Sequence, residues 1–175
     1  MTEFIFYHGD VSHAGTANLR HLVTAAVNNG VKNLTICISS HGGDVASGLG
    51  IYNFLLMQPI AITTYVSGVC GSIAATMFMA GTTRIAANVS TFSLHAATYS
   101  TGPRKGEKSE NTELIAYPFE ALTKWTSELS EKYFDNSTEK FISPHTALDL
   151  GIISAIRDIK IETTDTVTHV NIPVS

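Results

Sequence analysis

The sequence predicts an α/β fold with a mainly parallel sheet flanked by helices. Two observations carry this: short apolar strands alternate with helical patterns along the first half of the chain, and each strand passes into its helix through a glycine-containing turn. Glu3 to Tyr7 is a run of β-branched and aromatic residues, hence a strand, and His8-Gly9-Asp10 turns the chain toward a helical face at Leu19, Leu22, Val23, Ala26 and Val27. Gly30 stands where such a helix ends in the left-handed region. Leu34 to Ile38 forms a second strand, Ser39 to Gly43 a turn, and Val45, Leu49, Tyr52 and Leu56 a helical face that begins after Asp44. Ile62 to Val66 repeats the pattern, with Ser67 to Gly71 as the turn and an apolar helix from Ser72 to Ala80 that Gly81 closes. Parallel strands joined this way require right-handed crossovers.

The second half is less regular. Arg84 to Ala87 and Thr91 to His95 read as short strands, so His95 lies at a strand end. Tyr99 to Asn111 is polar, with Gly102, Pro103, Gly106 and clustered charges, and reads as an exposed loop. A long helix is expected from about 112 to 134. Ser143-Pro144 has the form of an N-cap followed by proline at the first helical position, Gly151 ends that short helix, and the tail from Ile161 alternates as a last strand. No repeat, low-complexity segment or dividing linker interrupts the chain, so a single domain over 1–175 is expected.

A chain of 175 residues can bury a full core without staples. Hydrophobic residues make up 44% and charged residues 15%, few charges for the surface of a lone monomer, which points to self-association. The net charge of −4 argues against nucleic acid and anionic membranes as partners. Cys37 and Cys70 lack metal-site or disulfide spacing, and no signal peptide or run of about 20 apolar residues is present, so a cytoplasmic setting is expected.

The two strand-turn-helix junctions are where chemistry is expected, because backbone N–H groups and helix dipoles point there. The first carries Ser40-His41-Gly42-Gly43-Asp44, whose glycines permit positive φ and close approach of a carbonyl to backbone donors. Read alone, the pair is a tight turn. The second carries Gly68-Val-Cys-Gly-Ser72-Ile-Ala74, with small residues that leave room beside a serine hydroxyl. Read alone, Ser72 is a helix N-cap.

In combination the order is distinctive: SxGGD, then GxxGSIAA, then a strand-end histidine 23 positions beyond the serine. This arrangement resembles the proteolytic subunit of the Clp protease, the ClpP family, within the ClpP/crotonase superfamily of repeated ββα units. Ser93-Leu94-His95 resembles the family's Met-Ile-His run, while Phe141-Ile-Ser-Pro-His-Thr-Ala147 and Leu150-Gly-Ile-Ile-Ser154 resemble its closing motifs. The likeness runs from about Glu3 to Ile159.

The resemblance implies a serine endopeptidase acting on unfolded polypeptides or short peptides, with Ser72 as nucleophile, His95 as base, and the N–H groups of Gly43 and Ile73 as oxyanion hole. The family's acidic residue falls at Glu139, with Asp135 as the fallback. It also implies a homo-oligomeric ring, heptameric or tetradecameric, with residues 112–134 as a shortened handle, and no cofactor or metal. The first strand begins almost at Met1, leaving no counterpart of the family's N-terminal axial loop, so an ATPase unfoldase partner is not expected. His41 replaces the family's proline in the glycine turn. His8, His13, His21, His145 and His169 show no metal-ligand spacing and receive no role.

Three rivals follow from the same features. A crotonase-type acyl-CoA enzyme would use the two N–H donors on an enolate and leave Ser72 and His95 idle. A non-catalytic ring subunit would keep the fold without a competent triad. A serine-lysine hydrolase would need Lys105 or Lys108 from the polar loop.

Overall fold

The computed structural model describes residues 2–136 and 138–172. In chain order the elements are β1 (Glu3–His8), α1 (His13–Asn28), β2 (Leu34–Ser40), α2 (Val45–Leu56), β3 (Ile62–Gly71), α3 (Ile73–Phe78), β4 (Thr83–Ala86), β5 (Thr91–Leu94), α4 (Asn111–Leu122), α5 (Ser127–Tyr133), β6 (Lys140–Ile142), α6 (Pro144–Asp149), β7 (Ala155–Ile156) and β8 (Thr166–His169). The strands form one sheet in the order β6-β5-β3-β2-β1-β8, with β4 also paired to β3 and β7 to β4. The described pairings are parallel except β5 with β6. Helices flank this mainly parallel sheet, as the sequence predicts.

Side-chain alternation sorts the core. Ile5, Tyr7, Leu34, Ile36, Ile38, Ile62 and Val66 face the helices, joining Leu19 and Val23 of α1, Ile51 of α2 and Met77 and Phe78 of α3. Phe4, Cys37, Tyr65 and Ile85 point to the other face, where Phe6 and Ile159 pack on them. Local signals hold where capping decides them: Asp44 accepts from the Ser47 N–H at the start of α2, Ser143 from Thr146 at the start of α6, and Gly30 and Gly151 adopt positive φ past α1 and α6.

Four features differ from expectation. Ser67 to Gly71 is not a turn; β3 continues through it, because Cys70 pairs with Ser40 on one side and Phe92 on the other. Gly81 lacks the left-handed φ of a helix terminator, and its role is steric: a Cβ there would lie 2.2 Å from Thr64 Oγ1. The expected helix over 112–134 is two helices. Thr123 is extended, its hydroxyl donates to the Phe119 carbonyl and accepts from the Trp125 N–H, and Thr126 caps α5. A straight helix would hold Phe119 and Phe134 about 22 Å apart; the break brings their rings to 5.3 Å, with Trp125 packed on both. Finally, β6 and β7 are strands the sequence pattern does not reveal. The tail strand is limited to β8, and the last part of the tail, 173–175, lies outside the described residues, as does Met1.

Candidate active site

Ser72 occupies the junction between β3 and α3 with φ 51° and ψ −130°, the only non-glycine residue with positive φ among the described residues. Such backbone costs about 1–3 kcal/mol and persists where surroundings enforce it. Here the enforcement is visible. Gly71 is the last residue of β3, and the Ser72 N–H donates to the Ser93 carbonyl at 2.7 Å, so the chain must reverse sharply to begin α3. The Ser72 hydroxyl makes no capping bond to α3, so its place at a helix start is not explained by capping.

The glycine turn lies against this serine. A Cβ on Gly42 would sit 2.7 Å from Ser72 Cβ and 3.3 Å from its Oγ, so only glycine admits the two segments this closely. Residues on both sides of Gly43 are tied to Val11: the Val11 N–H donates to the Gly42 carbonyl and the Asp44 N–H to the Val11 carbonyl, both at 2.8 Å. This parallel bridge leaves the Gly43 N–H outside the pairing, and Gly43 is exposed. Ile73 opens α3, so its N–H belongs to the first turn, which has no intrahelical acceptors.

His95 follows β5 directly. Gly71 pairs with Ser93, so Ser72 and His95 emerge from the same ends of two adjacent parallel strands. The ring is half-buried, and Nδ1 donates to the Ala96 carbonyl oxygen at 2.8 Å. A carbonyl only accepts, so Nδ1 carries the proton and Nε2 keeps the lone pair a base requires.

The two candidate acids sit on the segment that leads into β6. With Asp135, Asn136 and Thr138, Glu139 lines a cavity of about 310 Å³ that also includes His95 and Ala96. Glu139 accepts a short hydrogen bond from the Ser93 hydroxyl, not from His95. Asp135 accepts from the Thr138 N–H, pairs with Lys140 Nζ at 3.3 Å, and gives its backbone carbonyl to the Ala96 N–H at 2.9 Å. Both candidate acids therefore border His95. Ser93, 1% exposed, is the contact that sequence reasoning missed. Its only signal was a hydroxyl on the inward side of an otherwise packed strand.

His41 is exposed in the glycine turn. Lys105 and Lys108 lie in the polar loop, where Arg104 pairs with Glu107 and Glu110 and stacks on Tyr99.

Comparison with known proteins adds four findings. The Clp protease family model matches residues 1–160. The ATP-dependent Clp protease proteolytic subunit 1 of Mycobacterium leprae is 27% identical over 84 residues, 47% of this chain and 42% of that relative, so the match spans less than half of the relative's length. The corresponding subunit 2 of Bifidobacterium longum is 24% identical over 142 residues, 77% of this chain and 69% of the relative. Among solved structures, a ClpP1 mutant from Listeria monocytogenes superposes with a TM-score of 0.80 at 18% identity, covering 90% of this chain and 92% of that one, a likeness of fold.

Proposed function

The chain belongs to the Clp protease family, and from that premise we propose that it is a serine endopeptidase that cleaves unfolded polypeptides or short peptides through Ser72 and His95. His95 Nε2 takes the Ser72 proton as Oγ attacks the peptide carbonyl. The N–H groups of Gly43 and Ile73 receive the oxyanion, the protonated ring hands its proton to the leaving amine, and water then releases the acyl group by the reverse path. Glu139 is the third member, holding the ring and stabilising the imidazolium.

The observation that carries this reading is the backbone of Ser72. A strained serine between a strand and a helix, with no capping bond and its Oγ against a glycine turn, has the geometry of a nucleophile lifted out of a sheet edge. A purely structural residue has no need of that strain.

A fluorophosphonate probe followed by peptide mapping tests it. Labelling at Ser72 in the wild type, lost in Ser72→Ala and reduced at least about a hundredfold in His95→Ala, is the expected outcome. No labelling, together with hydrolysis of unstructured peptides no faster than by Ser72→Ala, would leave a non-catalytic ring subunit as the answer.

A homo-oligomeric ring is part of the same proposal. Leu114 and Tyr117 on α4, Met57 after α2 and Phe141 on β6 are large apolar residues left more than half exposed in the single chain. Sedimentation at micromolar concentration should give a heptamer or tetradecamer. Among the described residues no helix is long and apolar enough to cross a membrane; a cytoplasmic location belongs to the proposal.

A further inference from the structure

We infer that Ser93 is a positioning residue for the acid: its hydroxyl anchors one oxygen of Glu139 so that the other faces His95. This rests on the peptidase reading above and goes beyond it, since it assigns a role to a residue outside the nucleophile, base and acid.

Strand register supplies the placement. In the antiparallel pair β5–β6, Ser93 stands opposite Phe141 and Leu94 opposite Lys140. The ladder ends there, and His95 and Glu139 are the next residues along the two chains. Ser93 Oγ reaches the Glu139 carboxylate, and His95, two residues beyond Ser93, lines the same cavity as Glu139. The acid and the base thus meet beside one buried hydroxyl.

The contacts agree. Ser93 Oγ donates to Glu139 Oε1, while the Ser93 carbonyl accepts the Ser72 N–H. One buried residue thus touches the nucleophile's backbone and the acid's side chain. Glu139 is otherwise an exposed residue, whose carboxylate would sample many rotamers without an anchor. With Oε1 held, Oε2 remains to accept the Nδ1 proton of His95, which in this structure goes to the Ala96 carbonyl. Either acceptor selects the same tautomer, so exchanging them moves no proton. The titratable groups lining the cavity beside the ring are Glu139 and Asp135, the latter paired with Lys140, and the glycine turn carries His41 and Asp44.

The test uses the full chain and four variants, Ser93→Ala, Ser93→Thr, Glu139→Ala and the double Ser93→Ala/Glu139→Ala. The pH dependence of kcat/KM on an unstructured peptide is measured, together with the His95 ring titration by NMR in a Ser72→Ala background. A carboxylate released from its anchor holds the ring less well, so Ser93→Ala should lower kcat/KM by about tenfold and displace the acidic limb of the profile. Ser93→Thr should restore both. The double variant should match Glu139→Ala alone, because an anchor acts only through what it holds. Wild-type rate and limb in Ser93→Ala, or an equal extra loss when Glu139 is already absent, would overturn the inference. If the wild type takes no fluorophosphonate label, the peptidase reading fails by itself. The NMR spectra still decide Ser93: a change in the His95 ring signals that is absent from the Glu139→Ala background supports the anchor, and an unmoved ring refutes it.

Discussion

Gly42→Ala puts a methyl group where the structure has least room. The added Cβ would stand 2.7 Å from Ser72 Cβ and 3.0 Å from the Gly71 carbonyl, against about 3.5–4.0 Å for comfortable carbon contacts. Relief requires a shift of roughly 1 Å. Ser72 does not retreat freely, because its N–H is tied to the Ser93 carbonyl of β5 at 2.7 Å. Displacing a nucleophile by about 1 Å costs about a hundredfold in rate, which is the expected fall in kcat/KM and in fluorophosphonate labelling. Gly42 also has φ +107°, so alanine adds backbone strain of about 1–3 kcal/mol and should lower the melting temperature by roughly 3–10 °C. Gly30→Ala is the control: its φ is +75° with nothing within 4 Å of the new Cβ, so it should lose about 1 kcal/mol of stability and no activity. A folded Gly42→Ala protein that labels and cleaves at the wild-type rate would falsify the assembly of the glycine turn and Ser72 into one site.

Three further outcomes follow from particular contacts. Ser72→Gly and Ser72→Ala should both be inactive, but the glycine variant should be about 1 kcal/mol the more stable in urea titration, since only it relaxes the φ of 51°. Arg84→Ala should cost about 2–4 kcal/mol, because the guanidinium donates to the carbonyls of Ile152 at 2.7 Å and Gly81 at 3.2 Å and reaches those of Leu122 and Gly151; equal denaturation midpoints would refute this clamp. Burial pushes the Cys37 thiol up to about 12 and that of Cys70 higher still. The thiolate is the reactive form, so both should resist iodoacetamide at pH 8 in the folded protein and react in denaturant; rapid labelling without unfolding would contradict the packing around them.

What the sequence discloses is what neighbours in the chain decide. Asp44, Ser143-Pro144, Gly30 and Gly151 mark helix ends through bonds and torsions spanning a few residues, and each performs as expected. The alternation of β1 and β2 likewise needs only period two. Distant partners decide the rest. Ser67 to Gly71 looks like a turn because it offers small, flexible residues, yet β2 and β5 on either side recruit its backbone into the sheet. The apolar pattern around Phe119, Trp125 and Phe134 reads as one helix, and the ring cluster that forms when it breaks is a tertiary gain no periodicity records. For the proposed site, order and spacing single out the serine, the histidine and the glycine turn, and the structure sets that turn against Ser72. The link between Ser93 and Glu139 is not legible in this way, since it depends on the register of the three-residue strand β6.

The double tie between Val11 and the residues flanking Gly43 has a mechanical consequence. It makes the segment just after β1 a brace for the turn that carries Gly43, one of the two proposed oxyanion donors. Anything that peels that segment away, whether a cut between His8 and Ser12, a bulky fusion or a docked protein, would slacken that turn from the periphery and, on the proposed mechanism, slow cleavage while leaving Ser72 itself intact.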